Sequence, residues 1–151
     1  MLFVRCIHRI VDMLTETPFY SCYVKLPPNI TSPEIEANLK LQELKHSLGA
    51  IDGIHIEAIV PEDANAQYQN RKGFISQNVL AACTFDMRFC YIQSGWEGSA
   101  ADGQIFEDAR CHNFAVPPGK YYLADAGFPA CDSLLIPYCG VRYLLKEWSL
   151  S

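Results

Sequence analysis

The sequence predicts a mixed α/β fold, and three observations carry the prediction. Apolar residues near the N-terminus recur at helical spacing. Short apolar runs with strand character begin after Gly49 and are joined by tight links. A further helical stretch then precedes another strand. Element by element, Val4, Ile7, Ile10, Val11 and Leu14 follow the i, i+3, i+4, i+7 rhythm of an amphipathic helix, which Pro18 and then Pro27-Pro28-Asn29 break. A second helix is expected from Thr31-Ser32-Pro33-Glu34, where a hydroxyl, a proline and early acids mark an N-terminus; Ile35, Leu39 and Leu44 continue it toward Leu48. Strands are expected at Ala50 to Ile56, at Asn78 to Phe85 and at Phe89 to Gln93, the last two linked tightly through Asp86 to Arg88. Ala101 to Arg110 reads as a helix, Lys120 to Asp125 as a fourth strand, and Ser133 to Ile136 as the start of a fifth element. The change of texture at Gly49 divides the chain into an N-terminal helical segment, 1–48, and a strand-bearing segment, 49–151.

Composition narrows the function classes. The chain has 151 residues with 12 Lys+Arg against 17 Asp+Glu, a net charge of −5, and half of its residues are hydrophobic. That excludes intrinsic disorder, a collagen-like chain and a strongly basic nucleic-acid coat. Scaling surface with mass predicts roughly 7,700 Å² of accessible area for a compact monomer of this size. Residues 1–48 are electrically balanced, so the whole negative balance lies in 49–151. No run approaches a membrane span, and Met1-Leu2-Phe3-Val4-Arg5 does not read as a secretory leader. The seven cysteines are an odd number without C-x-x-C spacing, so free thiols in a reducing intracellular compartment, nuclear or cytoplasmic, are expected rather than a disulfide framework or a zinc site. Across a tight hairpin, Cys83 and Cys90 would face each other as two small core residues.

Two aspartates need explaining. Asp52 lies inside an apolar strand, on the face of Ile54 and Ile56 and opposite Ile51, Gly53 and His55. Asp125 ends another apolar strand before Ala126-Gly127. Strand interiors disfavour aspartate, so each residue is either a strand-end cap or part of a metal centre. If the two strands are neighbours, carboxylates about 4 Å apart repel by roughly 4 kcal/mol at an effective dielectric near 20. A proton or a divalent cation relieves that repulsion. Ligation by oxygen alone suits Mg²⁺ or Mn²⁺. Spacing does not choose between these readings.

Several segments, in order along the chain, carry a resemblance. They are Gly49-Ala50-Ile51-Asp52-Gly53-Ile54-His55-Ile56, Tyr68-Gln69-Asn70-Arg71-Lys72-Gly73, Ser76-Gln77-Asn78-Val79-Leu80-Ala81, Arg88-Phe89, Gly95-Trp96-Glu97-Gly98-Ser99-Ala100-Ala101-Asp102, and Leu123-Ala124-Asp125-Ala126-Gly127-Phe128. Together, over about residues 48 to 140, they resemble PIF/Harbinger-type DDE transposases and their domesticated nuclease relatives. The resemblance implies an RNase H-like mixed sheet: three antiparallel strands, then a helix and a parallel strand, with the first and fourth strands adjacent. It implies N-terminal helices before this core and a core incomplete at its C-terminus. It matches Asp52 and Asp125 to the first two metal-binding acids, which hold Mg²⁺ or Mn²⁺ for cutting and joining DNA at transposon ends. Asp102 is matched as an auxiliary acid. Arg71 and Lys72 match a basic turn, read here as a contact to a DNA phosphate, and a separate DNA-binding protein would supply targeting.

The departures are as informative as the matches. The family's third acid lies on a helix beyond its second aspartate. Here Asp132 falls too near, and Glu147 sits in Lys146-Glu147-Trp148 rather than in the family's motif. Around Asp102 the family has a histidine before and serine-arginine after, where this chain has Ala101 and Gly103-Gln104. The expectation is therefore a fragment or decayed copy of a metal-dependent DNA nuclease, its activity weakened or lost for want of the third acid. The alternative is a non-catalytic interaction module, domesticated or relic.

Overall fold

The computed structural model describes residues 2–138. The N-terminal periodicity forms helix α1 (Leu2–Thr15), and a short α2 (Phe19–Tyr23) follows. The long second helix expected toward Leu48 does not form. It is one turn, α3 (Pro33–Glu36), and then a 3-10 turn over Leu39–Leu44. Asn38 is the reason: its backbone is extended, at φ −121° and ψ 106°, and its side chain accepts a hydrogen bond from Lys40 N. A short amide side chain competes in this way with the helical ladder. The Ser32 hydroxyl does not cap α3 either; it donates to the Glu34 carboxylate.

The sheet contains β1 (Ser47–Glu57), β2 (Ser76–Cys83), β3 (Phe89–Glu97), β4 (Tyr121–Leu123) and β5 (Leu134–Leu135) in the order β3-β2-β1-β4-β5. β1 and β2 are antiparallel, as are β2 and β3, while β1 pairs with β4 and β4 with β5 in parallel. Two helices interrupt the strand order: α4 (Asn65–Tyr68) between β1 and β2, and α5 (Asp102–His112) between β3 and β4. This is the RNase H-like arrangement that the resemblance implies, with the first and fourth strands side by side. β1 begins at Ser47 because its first residues pair with β4, Ser47 against Tyr121.

α5 covers one face of the sheet. Its Ile105, Phe106 and Ala109 pack against Ile51, Leu80, Ala82, Tyr91, Tyr122 and Leu134. The Phe106 ring meets Phe114 and Phe128 edge-on, each at 6.0 Å between centroids. Of the aromatics on the strands, Tyr91 and Tyr122 are buried, whereas Trp96 and Tyr121 are only partly so. The other face holds Ile54, Ile56, Phe89, Ile92 and Leu135, all exposed. α1 buries no residue.

Cys83 and Cys90 do not face each other across the hairpin. The register shifts between Ala82 and Cys83, so that Cys83 pairs with Phe89 and the buried Cys90 thiol donates to Ala82 O at 3.4 Å. Burial pushes the Cys90 thiol pKa up. The cysteines among the described residues are all free thiols, and no described helix is long and apolar enough to cross a membrane.

Candidate active site

The two strand aspartates stand level with each other. In the parallel pairing of β1 with β4, Ala50 lies beside Leu123, and Asp52 and Asp125 each follow two residues later. Both carboxylates are anchored alike. Asp52 Oδ1 accepts from Gly53 N at 2.8 Å, and Asp125 Oδ1 accepts from Gly127 N at 2.7 Å. Each keeps a second oxygen, and both side chains are exposed. Partial burial raises the Asp52 carboxyl above its ordinary range; the Gly53 N–H opposes this, while the charges of Asp125 and then Asp102 add to it.

Asp102 arrives from a different direction. It opens α5 and lies on the covered face, packed over Gly53. A Cβ at Gly53 would overlap the Asp102 carboxylate and would come within 3.0 Å of Asn78 Oδ1, so any side chain there would displace Asp102 from its seat. Asn78 Nδ2 donates to Asp102 Oδ1 at 2.7 Å and to Ala100 O at 3.0 Å. Three of the colinear segments thus meet at one point, through Gly53, Asn78 and Asp102. Strand alternation puts Asp102 on the side of β1 away from the Asp52 side chain, so it senses Asp52 as a charge and does not share a ligand position with it.

Arg71 and Lys72 are not part of this cluster. They lie exposed in the turn before β2, beyond Ser76, which pairs with Glu57 at the far end of β1. Five residues of strand separate Asp52 from Glu57, about 17 Å at the usual rise. The turn is nonetheless ordered by hydrogen bonds. Asn70 Oδ1 accepts from Lys72 N at 2.9 Å and Phe74 N at 3.3 Å, and Asn70 Nδ2 donates to the buried Ser76 hydroxyl at 3.2 Å. His55 Nδ1 joins the same hydroxyl at 3.1 Å, which agrees with a structural role for this histidine. Asn78, Asn70 and Ser76 were not singled out by sequence. The signal for Asn78 was a polar side chain at an inward strand position, flanked by Leu80 and Ala82.

The donor set suits a hard divalent cation: two exposed carboxylates, each with one oxygen fixed by a backbone amide and one to spare. No group of three or more histidine, cysteine or acidic side chains able to hold a metal occurs among the described residues. Asp132 is exposed, and Glu147 lies outside the described residues.

A mixed sheet with antiparallel β3-β2-β1 and parallel β1-β4-β5, covered by α5, defines the chain as an RNase H-like α/β fold. More particularly, it belongs to the DDE superfamily endonucleases, whose family profile matches residues 51–149. The chain is 28% identical over 93 residues to "Putative nuclease HARBI1" of Rattus norvegicus, covering 60% of this chain and 27% of that protein. It is 29% identical over 120 residues to "Protein ALP1-like" of Arabidopsis thaliana, covering 67% and 29%. The human "Putative nuclease HARBI1" is 24% identical over 107 residues, covering 70% and 30%. The chain therefore spans less than a third of the length of these relatives. No solved structure matches it.

Proposed function

We propose that residues 49–151 form part of the catalytic core of a divalent-cation-dependent DNA endonuclease or transposase, with Asp52 and Asp125 as the cation ligands. The single observation behind this reading is the parallel register of β1 with β4, which carries Asp52 in β1 alongside Asp125, two residues past the end of β4. Bound there, Mg²⁺ or Mn²⁺ would polarise a phosphodiester oxygen and lower the pKa of the attacking water or DNA hydroxyl. Asp52 and Asp125 bind and orient through their free oxygens, and the Gly53 and Gly127 amides keep those oxygens from turning away. Asp102 is an auxiliary acid beside them. Arg71 and Lys72, held by the Asn70 turn, meet a DNA phosphate several nucleotides from the reacting one. Two carboxylates hold a cation less firmly than three, so weak binding and slow cleavage are expected of this chain. A separate DNA-binding partner would supply targeting.

The test is nicking of supercoiled DNA in Mg²⁺ or Mn²⁺. Wild type is expected to nick slowly, and Asp52→Asn and Asp125→Asn are each expected to lose at least about a hundredfold, the scale of a lost Lewis acid. Equal nicking by wild type and both variants overturns the assignment. An inactive wild type that also binds no cation points to the non-catalytic reading instead.

A further inference from the structure

We propose that Asp102 is an outer positioning carboxylate of the Asp52/Asp125 cation site, seated on Gly53 and locked there by Asn78. The inference rests on the metal-site reading above and names three of this chain's own residues that serve it. It begins from Gly53, where the absence of a side chain is occupied by something else: the Asp102 carboxylate. Asn78 is 1% exposed and spends both amide hydrogens on this joint, one to Asp102 Oδ1 and one to Ala100 O. Those two donations fix which end of the amide is which, and they leave Asn78 Oδ1 as a buried acceptor with no hydrogen-bond partner. A buried acceptor calls for a donor. Among the described residues it has none.

A plainer account of Asp102 is an acid in the first turn of α5, favourable to the helix dipole and nothing more. That account explains neither the glycine beneath it nor the buried asparagine that spends both its amide hydrogens beside it. Helix acids are ordinarily solvated and need no such seat. Gly53, on which the Asp102 carboxylate sits, directly follows Asp52 in β1, so the joint lies immediately behind the ligand. In this arrangement Asp102 does not touch the cation. It adds negative potential behind Asp52, and it ties the end of α5 to the strand that carries the ligand.

The experiment is a Mn²⁺ titration of the full chain, followed by electron paramagnetic resonance of free Mn²⁺, with thermal melting measured in parallel. Asp102→Asn keeps the shape and the acceptor for Asn78 Nδ2 but removes the charge. It is expected to weaken Mn²⁺ binding about tenfold, as removal of outer-shell partners does, with an unchanged melting temperature. Asn78→Ala is expected to weaken binding to a similar degree, because Asp102 is no longer held. The double variant should bind as Asp102→Asn alone, since Asn78 acts through Asp102. Wild-type affinity in Asp102→Asn overturns the proposal, whether or not Asn78→Ala folds. So does an Asn78→Ala effect that persists undiminished in the Asp102→Asn background. If Asp52→Asn binds Mn²⁺ as wild type does, or wild type shows no saturable binding, the metal site itself falls and this proposal falls with it.

Discussion

The sheet with α5 and the segment before it are built on different principles. In the sheet, small and polar residues interlock: Gly53 seats Asp102, and Gly98 packs against Tyr68 O and the Ser76 backbone and hydroxyl. In α1, apolar residues keep a clean helical period, yet none of them is buried. Periodicity specifies what kind of element forms but not what it packs against. Glycines and buried amides at fixed places specify contacts. Substitutions that remove side chains should therefore be felt strongly in the first region and hardly at all in the second.

The largest expected effect is at Phe106, fully buried between Phe114 and Phe128. Phe106→Ala should destabilise the fold by about 3–5 kcal/mol in urea unfolding; a loss below about 1 kcal/mol would mean that α5 does not anchor the core. Gly98→Ala comes next. Its Cβ would sit 2.6 Å from Ser76 O, with Tyr68 O closer still, and both are backbone atoms, one at the end of α4 and one at the start of β2. A loss of about 1–3 kcal/mol is expected from this overpacking, and unchanged stability would show that the sheet relaxes more easily than its close contacts imply.

The same contrast explains what was legible in the sequence. Asp52 and Asp125 stood out because a charged side chain in an apolar strand is conspicuous locally, and the parallel pairing of β1 with β4 brings the two level. The order of the strands in the sheet came from the resemblance, while their positions were equally legible from apolar runs and turn residues. Asn78 was not, because its role depends on α5 arriving above it, which no local pattern encodes. The early start of β1 at Ser47 depends on Tyr121, more than seventy residues away. The break at Asn38 reflects a side-chain hydrogen bond that outweighs the apolar spacing of Leu39 and Leu44. The shifted register at Cys83 likewise arises from a bulge rather than from residue count.

A smaller effect separates function from stability within the sheet. The folded pKa of Asp52 lies above its ordinary value of 3.8. The folded chain therefore holds that proton more tightly than the unfolded chain does. Ionised Asp52 opposes folding at neutral pH, and the penalty is relieved as pH falls through the folded pKa. In metal-free buffer, Asp52→Asn should then melt slightly higher than wild type at pH 7, and the difference should close below about pH 4. Added Mg²⁺ should raise the melting temperature of wild type but not of the variant, because a ligand bound only by the folded state stabilises it. A variant that melts lower than wild type at pH 7 without metal would assign Asp52 to holding the fold instead.

The smallest effect is expected at α1, and it tests the comparison from its other side. Ile7 and Val11 are 45% and 48% exposed, although they lie on the helix's apolar stripe. Replacing both with alanine removes little buried area and substitutes a better helix former for two β-branched residues. Unfolding free energy should change by no more than about 0.5 kcal/mol, the usual range for surface positions. A loss above about 1 kcal/mol would show that the stripe is covered in solution. Repeating the melts over a range of protein concentration then identifies the cover: stability that rises with concentration means another copy of the chain, and stability that does not means the chain's own sheet.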